Sequence, residues 1–453
     1  MMKQTLYDYD IFPMVFPVGR PTEITVRPLG AHAAFPADVR VTVHRLDSGS
    51  PRHDFSRWNS AEMPSPLSED GSLRFTWTAE AECEHFIRIW SGDRRIAQLS
   101  VFAVGDDLAD RIPLRGDLHM HTCRSDGRED PGIVAANYRM KGYDFCVITD
   151  HHRYYPSLEA IADYAGAKCP LNILPGEEVH LRGTDVHIVN AGGVFSVNGL
   201  FDYSQNYTET NGSPDGRRLD PSVTPPDIVT PEQYEAELQA IEAEYPDCPA
   251  DVNLRWFAVC VWAFRKIREG GGLGIYAHPY WIADMWHVPE ALNAYMLEKH
   301  PFDAFEVLGG ENYYEQNGFQ TAVYYDEYRK GRVHPIVGST DTHGSTEHNR
   351  NSDICSTIVF AHKNERRDIL DSIRNRYSVA VDTISKEYRL VGEFRFQKYA
   401  SFLMENYFPV HDRAAAVDGE IMRRYYLGEE SAELLSCFAD KAEALQKKYI
   451  RTK

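Results

Sequence analysis

The fold class of this chain is decided by residues 113–153, which read PLRGDLHMHTCRSDGREDPGIVAANYRMKGYDFCVITDHHR. A short strand-like run, DLHMH at 117–121, precedes a helical stretch at 131–142, and a second apolar run, FCVIT, follows at 145–149. Short apolar runs that alternate with helical stretches are the signature of strand–helix units. This stretch therefore predicts an α/β fold.

The same alternation continues to about residue 384. The further candidate strands are NILPGEE (172–178), VHIVNAG (186–192), GLGIYAH (272–278), AFEVLG (304–309) and PIVGST (335–340). With the first two strands they make seven strand–helix units, which predict a barrel or a strongly curved parallel sheet. We expect this domain to span 113–384, with an insertion at about 198–255 whose polar first part is either a substrate-shaping loop or a solvated one.

The flanking segments follow other patterns. Residues 1–105 contain several short alternating runs, such as TEITVRPL and SLRFTWTA, and predict a small all-β, sandwich-like domain. This domain is expected to be an accessory or packing domain, with a carbohydrate- or partner-binding module as the alternative. Residues 385–453 show a helical period and predict a tail, which either docks on the main body or forms an oligomer contact.

The composition limits the kinds of binding partner and the cellular compartment that we expect for this protein. The chain has 48 Lys and Arg against 67 Asp and Glu, a formal net charge of −19, which disfavours a nucleic acid polymer as partner. The N-terminal stretch lacks the uninterrupted apolar segment of a secretory signal, and we expect no membrane span. The eight cysteines form no CxxC pair. The expected setting is the cytoplasm.

Side chains that bind metals recur where the candidate strands end. His119 and His121 lie in the DLHMH run, and the other strand-end residues of this kind are His151, Glu178, His278, Asp341 and His343. In a strand–helix barrel these ends converge on one mouth, so the side chains would be neighbours in space. Imidazole and carboxylate ligands suit Zn, Mn or Fe, and a bridging carboxylate can hold two ions about 3.5–4 Å apart.

Five strings around these residues, which span about 230 residues, carry a family resemblance. They are GDLHMHTCRSDG (116–127), ITDHH (148–152), PGEEV (175–179), YAHPY (276–280) and GSTDTHG (338–344). In this order they resemble the successive motifs of the PHP (polymerase and histidinol phosphatase) family of amidohydrolase-like hydrolases. The resemblance implies a distorted (β/α)7 barrel with three divalent metal ions.

The resemblance also implies a division of the ligands. His119, His121 and Asp341 would hold the first metal, Glu178, His187 and His278 the second, with Glu178 as the bridge, and Asp126, His151 and His343 the third. Two neighbours compete for these roles. Glu177 is an alternative to Glu178, and His180 is an alternative to His187.

The expected activity is that of a metal-dependent phosphoesterase acting on a small phosphomonoester or a compact phosphodiester. A hydroxide that bridges two metals would attack phosphorus. Asp341, His152 and Arg124 are the predicted catalytic residues. His152 either protonates the leaving group or forms a supporting hydrogen bond, and Arg124 would bind phosphate, as Arg128 or Arg153 could instead.

Two alternative functions remain open at this point. A carbamate, ester or amide hydrolase would use the same three-metal scaffold on a carbon-centred bond. A non-catalytic PHP module would keep the fold as a binding unit. Degenerate modules of that kind usually lose a metal ligand, whereas this chain has the complete set, which argues against this alternative.

Overall fold

The structure is a computed structural model, and it describes eight stretches of the chain: 8–47, 60–64, 67–201, 228–282, 285–309, 314–346, 355–383 and 389–452. The chain forms two compact units. The β unit comprises 1–112, 394–414 and 440–453, and the α/β unit comprises 113–393 and 415–439. Residues 202–227, most of the polar first part of the insertion predicted at 198–255, lie outside the described residues, and so does the choice between a substrate-shaping and a solvated loop there.

Eight strands lie among the described residues of the β unit. They are β1 (Tyr9–Phe12), β2 (Val15–Pro17), β3 (Thr22–Pro28), β4 (Val39–Arg45), β5 (Ser60–Met63), β6 (Leu73–Trp77), β7 (Cys83–Ser91) and β8 (Arg94–Val104). One sheet has the order β1-β3-β6 and the other β2-β8-β7-β4-β5. Burial alternates along β7, with Cys83, His85 and Ile87 buried and the residues between them less so. This alternation is what a strand with one buried face requires.

The α/β unit follows in the chain. Its strands are β9 (Ile112–Asp117), β10 (Phe145–Val147), β11 (Asn172–Leu174), β12 (Gly176–Val179), β13 (Ile188–Ala191), β14 (Leu273–Tyr276), β15 (Ala304–Leu308), β16 (Ile336–Gly338), β17 (Cys355–Ala361), β18 (Ser378–Asp382) and β19 (Arg389–Val391). Its helices are α1 (Pro131–Met140), α2 (Tyr155–Tyr164), α3 (Pro231–Ala243), α4 (Leu254–Glu269), α5 (Glu290–Lys299), α6 (Tyr314–Arg329) and α7 (Arg366–Arg374).

Three helices end the chain, as the sequence predicts for a helical tail. They are α8 (Phe394–Asn406), α9 (Phe408–Tyr426) and α10 (Ala432–Tyr449). Among the described helices, none is both long enough and apolar enough to cross a membrane.

The strands of the α/β unit form two sheets, with the orders β11-β10-β9-β17-β18-β19 and β12-β13-β14-β15-β16. Two isolated parallel bridges join positions of the two sheets, one between Met120 and Thr342 and one between His151 and Glu178. The predicted closed seven-stranded barrel is therefore not found among the described residues. The fold is mixed α/β.

Local chemistry explains this difference. The predicted strand 172–178 divides at Pro175 into β11 and β12, because proline lacks the N–H group that a continuous ladder needs. Eight residues without a helix connect β12 to β13, so the chain returns antiparallel to β12. Six of the seven predicted runs contain strands, whereas the first strand, β9, ends at Asp117, where the predicted run 117–121 begins. These strands do not pair as a uniform parallel repeat.

Polar caps begin α3, which lies in the predicted insertion, and α4, which directly follows the insertion. The Thr230 side chain accepts a hydrogen bond from the Gln233 backbone, and the Gln233 side chain accepts one in return, which is a complete capping box for α3. Asn253 caps the start of α4, and the helix ends at Gly270. Phe257 and Trp262 on α4 are buried in the apolar core next to β13 and β14. The helices thus cover the strands that present site residues.

A buried charge cluster stabilises the α/β unit behind the sheets. Arg139 on α1 is only 2% exposed and donates hydrogen bonds to Asp418 (2.7 Å) and Asp144 (3.0 Å). We expect Asp418→Asn to lower the free energy of unfolding by about 3 kcal/mol, because the arginine loses a charged partner inside the protein. Chemical denaturation measures this loss.

Glu420→Gln is the matched control, because Glu420 pairs with Arg423 on the surface of the same helix. Such an exposed pair contributes less than about 1 kcal/mol. Equal stability changes in the two variants would contradict the role given to the buried cluster.

Candidate metal centre

The predicted ligands of the α/β unit converge around the ends of its short strands, with Glu178 inside β12 and His187 directly before β13. Eight of the nine fall into five overlapping groups in which every ligand atom lies within 4.8 Å of the others. The groups are His121/Asp126/His151/His343, His119/His121/Glu178, His119/His278/Glu306, His151/Glu178/His180 and Glu178/His187/His278. The ninth, Asp341, lies 2.8 Å from His121 and 3.3 Å from His119.

Glu178 lies at the centre of these groups. Its Oε2 atom is 2.5 Å from Nδ1 of His151, and its Oε1 atom is 2.7 Å from Nδ1 of His187 and 3.8 Å from Nε2 of His278. The side chain is fully buried, and neither oxygen has a hydrogen bond of acceptable geometry among the described residues. Imidazoles thus lie close to both oxygens, but neither oxygen has a hydrogen-bond partner among the described residues.

Glu177, the alternative to Glu178, has a different environment. Its Oε1 atom accepts hydrogen bonds from Asn190 and the Val197 backbone, and its Oε2 atom accepts from Ser196 and Asn198, at 2.5–3.1 Å. Each oxygen of this buried carboxylate thus accepts two hydrogen bonds, and none of the four donors is a histidine. Glu177 therefore supports the loop at 195–198, and Glu178 faces the centre.

The alternatives His180 and His187 both approach Glu178. His180 lies 3.4 Å from Oε2 and 3.0 Å from His151, whereas His187 lies on the Oε1 side with His278. The assignment of His187 to the second group stays a prediction, and the structure adds His180 as a further imidazole at the same carboxylate.

Asp341 lies in a left-handed backbone conformation, with φ at +49°. Such a conformation costs non-glycine residues free energy and is concentrated at functional sites. Burial raises the pKa of the Asp341 carboxyl, but the charge of His119 and the hydrogen bond from His121 outweigh it, so the net pKa is lowered. Asp341 is thus a carboxylate at neutral pH.

The third predicted group lies closest to solvent. Nε2 of His151 and Nε2 of His343 are each 3.4 Å from the same Oδ2 atom of Asp126. The Asp126 side chain is 56% exposed and the His343 side chain 31% exposed, whereas His119 and His121 are fully buried. A ligand from solvent would therefore meet this group first.

The other two predicted catalytic residues are Arg124, expected to bind phosphate, and His152, expected to protonate the leaving group or to form a supporting hydrogen bond. Arg124 donates to both oxygens of Glu159 and lies 3.1 Å from Asp130, so its guanidinium group already has carboxylate partners. His152 is more than half buried, and burial followed by the charge of His180 lowers its pKa to about 4. His152 is therefore neutral at pH 7 and would donate a hydrogen bond rather than act as an imidazolium acid.

Sequence reasoning missed two side chains of the centre, His180 as a full member and Glu306. Glu306 lies on β15, is fully buried, and approaches His119 at 3.1 Å. The sequence did contain a signal for Glu306, because it is the one acidic residue in the otherwise apolar strand AFEVL. A carboxylate in such a strand is costly to bury unless it has a partner.

The donor set fits divalent metal ions. Several buried nitrogen and oxygen atoms of the centre lack a hydrogen-bond partner among the described residues, including Nε2 of His119, both ring nitrogens of His278 and both oxygens of Glu178. Unsatisfied buried polar atoms are rare in folded proteins and call for a ligand or another explanation. The five groups contain imidazole and carboxylate donors and no thiol, which suits Zn, Mn or Fe.

Comparison with known proteins gives distant structural likenesses. No family model matches the sequence, and no curated protein matches it. A two-domain protein from Bacteroides vulgatus, described as containing a predicted PHP-like metal-dependent phosphoesterase, is 16% identical over 60% of this chain, with a TM-score of 0.37. This chain spans 65% of that protein's length, less than two thirds.

Two other solved structures are similar to about half of this chain. A putative metal-dependent phosphoesterase from Bifidobacterium adolescentis is 19% identical, with 52% of this chain and 89% of that chain covered and a TM-score of 0.30. An amidohydrolase from Chromobacterium violaceum with bound sulfate is 19% identical, with 51% and 87% covered and a TM-score of 0.30. All three identities are below 25% and all three TM-scores are below 0.5, so the chemistry of this centre has to be derived from its own residues.

Proposed function

We propose that this protein is a metal-dependent hydrolase of the PHP type, a phosphoesterase that cleaves a small phosphomonoester or a compact phosphodiester. The observation that carries the proposal is the state of Glu178, a fully buried carboxylate with six imidazoles within 3.8 Å of its oxygens and, among the described residues, no hydrogen bond to either oxygen. We interpret the two bridged sheets as an open form of the distorted seven-stranded barrel.

Three ligand groups would hold the ions. They are His119, His121 and Asp341 for the first, Glu178, His187 and His278 for the second, and Asp126, His151 and His343 for the third. When bound, divalent ions lower the pKa of a water molecule and neutralise charge on phosphoryl oxygens. Glu178 would serve the first two groups together, because its Oε2 atom faces His119 and His121 and its Oε1 atom faces His187 and His278.

The remaining roles of the protein's own side chains would depend on how deeply each side chain is buried. The buried first and second groups exclude bulk water, and the partly exposed Asp126 and His343 mark the side from which a phosphoryl group would enter. His152, neutral at pH 7, would donate a hydrogen bond to the leaving oxygen. The paired Arg124 would bind phosphate only by exchanging its partner Glu159.

Chelation provides the direct test of this function. We expect protein treated with a strong chelator to lose at least about 100-fold of its hydrolytic rate and to regain it with Mn²⁺, Fe²⁺ or Zn²⁺, because the reaction needs the ions' Lewis acidity. The rate is measured on a panel of phosphomonoesters, phosphodiesters, bisphosphates, carbamates, esters and amides.

Each pattern of activity has a distinct meaning. Metal-dependent cleavage of phosphate esters supports the proposal. Cleavage of the carbamates, esters or amides alone would instead make the protein a carbon-centred hydrolase on the same scaffold. Full metal content without activity on any member of the panel would contradict the proposed phosphoesterase and favour a binding module.

A further inference from the structure

Glu306 is a buried carboxylate beside the metal centre that the three proposed ligand groups leave without a role. It lies on β15, its side chain has no solvent exposure, and its Oε2 atom is 3.1 Å from Nδ1 of His119. Its Oε1 atom has no hydrogen-bond partner among the described residues. A buried polar oxygen without a hydrogen-bond partner is costly, so this carboxylate calls for a function.

The two ring nitrogens of His119 face different carboxylates. Nδ1 faces Glu306, whereas Nε2 lies 3.3 Å from Asp341 and 3.6 Å from Glu178, on the side of the other proposed ligands. A neutral imidazole carries one proton, and a carboxylate next to Nδ1 favours the proton there. The lone pair of Nε2 then points toward Asp341 and Glu178.

The protein holds this carboxylate in a restricted space. The Glu306 carbonyl accepts a hydrogen bond from Gln320 on α6, and the backbone of Gly309 is bound by Gln316 and Asn317 of the same helix. A Cβ atom on Gly309 would lie only 2.0 Å from Oε1 of Glu306. Because glycine has no side chain, Gly309 leaves space for the Glu306 carboxylate.

We propose that Glu306 is a positioning residue for the metal centre, one that fixes the ring orientation and tautomer of His119 so that Nε2 is the metal-binding atom. This inference rests on the proposed function, because it takes His119 to be a ligand. Carboxylates that accept from the second nitrogen of a metal-binding histidine orient the ring and raise its basicity. Glu306 itself is not a ligand in this arrangement, because it lies at the opposite nitrogen.

The test uses full-length Glu306→Gln, which keeps the size of the side chain and removes its charge. We expect Zn²⁺ and Co²⁺ to bind the first group at least about 10-fold more weakly, since changes of this kind typically cost 10- to 100-fold in metal affinity. The visible spectrum of bound Co²⁺ is expected to change as well, because it reports the ligand field at the ion. Circular dichroism verifies that the variant is folded.

Two glycine variants make the test independent of the charge change. Gly309→Ala keeps Glu306 but drives a methyl group against its carboxylate, so we expect weakened metal binding there too. Gly318→Ala on α6 is the control, because its added Cβ meets no atom within 4 Å and alanine favours the helix. Its metal affinity is expected to equal that of the unmodified protein.

The outcomes separate this inference from the proposed function. Folded Glu306→Gln and Gly309→Ala proteins with unchanged affinity and an unchanged Co²⁺ spectrum would overturn the positioning role. Anomalous diffraction that places an ion about 2 Å from Glu306 would overturn it as well. An unmodified protein that binds metal but cleaves no substrate defeats the proposed function alone, whereas one that binds no metal defeats both.

Discussion

Glu178→Gln is expected to lower kcat by about 10³-fold and to reduce the metal content of the purified protein. Glu178 is the residue that the first two ligand groups share, with one oxygen toward His119 and His121 and the other toward His187 and His278. Glutamine fills the same volume but brings no negative charge, and its NH₂ group cannot bind a cation. The loss of one preorganised electrostatic group typically costs 10²- to 10³-fold in rate, and here two sites lose it.

Glu177→Gln is the matched control, since the two glutamates are adjacent and equally buried. Glu177 accepts four hydrogen bonds from groups outside the metal centre, so its replacement is expected to lower stability by about 1–3 kcal/mol through one mismatched donor. Metal content per folded molecule should stay unchanged. A Glu177→Gln protein that loses its metals while Glu178→Gln keeps them would reverse the assignment.

His278→Ala is expected to lower kcat by on the order of 10²-fold while leaving the first ligand group in place. The imidazole lies 3.8 Å from Glu178 and 3.7 Å from Asp341, and neither of its nitrogens has a hydrogen-bond partner among the described residues. Its removal would deprive the second group of one of three ligands. Binding of inorganic phosphate should weaken less, because Asp126, His151 and His343 remain.

His334→Ala controls for the loss of a buried imidazole. His334 is 2% exposed, as His278 is, and its ring meets His300 edge-on and Phe302 at a tilt, outside the ligand groups. We expect a lower free energy of unfolding but an unchanged kcat per folded molecule. A folded His278→Ala protein with full metal content and an unchanged kcat would mean that the YAHPY segment is only a strand end.

The sequence was most informative where a side chain follows a short apolar strand. The positions of His119, His151 and Glu178 after such strands predicted their convergence, because the strand ends of a strand–helix barrel meet at one mouth. The structure brings these residues together, with His151 and Glu178 joined by a backbone bridge. Local pattern therefore sufficed for most of the candidate centre.

The sequence was less informative about strand direction. Pro175 interrupts a stretch that otherwise appears as one strand, and the short connection 180–187 turns β13 antiparallel to β12. Both effects depend on which strands pair, and pairing is a long-range property that alternation does not encode. The mixed α/β character of the expectation is confirmed, but the described residues form two bridged sheets and no closed barrel.

Side-chain partners were the hardest feature to predict. Arg124 appeared available for phosphate, but it is paired with Glu159, which is 35 residues away in the sequence. Glu306 appeared to be part of an ordinary strand, but it contacts His119 across 187 residues. Such pairs depend on the packed arrangement of distant segments, and a single sequence contains no periodic signal for them.

The measurement that tests the account most directly is metal stoichiometry combined with anomalous diffraction on the metal-replete protein. We expect three divalent ions per chain, one beside each of the groups His119/His121/Asp341, Glu178/His187/His278 and Asp126/His151/His343. Elemental analysis that finds no ion or a single ion under replete conditions, or anomalous density away from these side chains, would contradict the three-metal hydrolase.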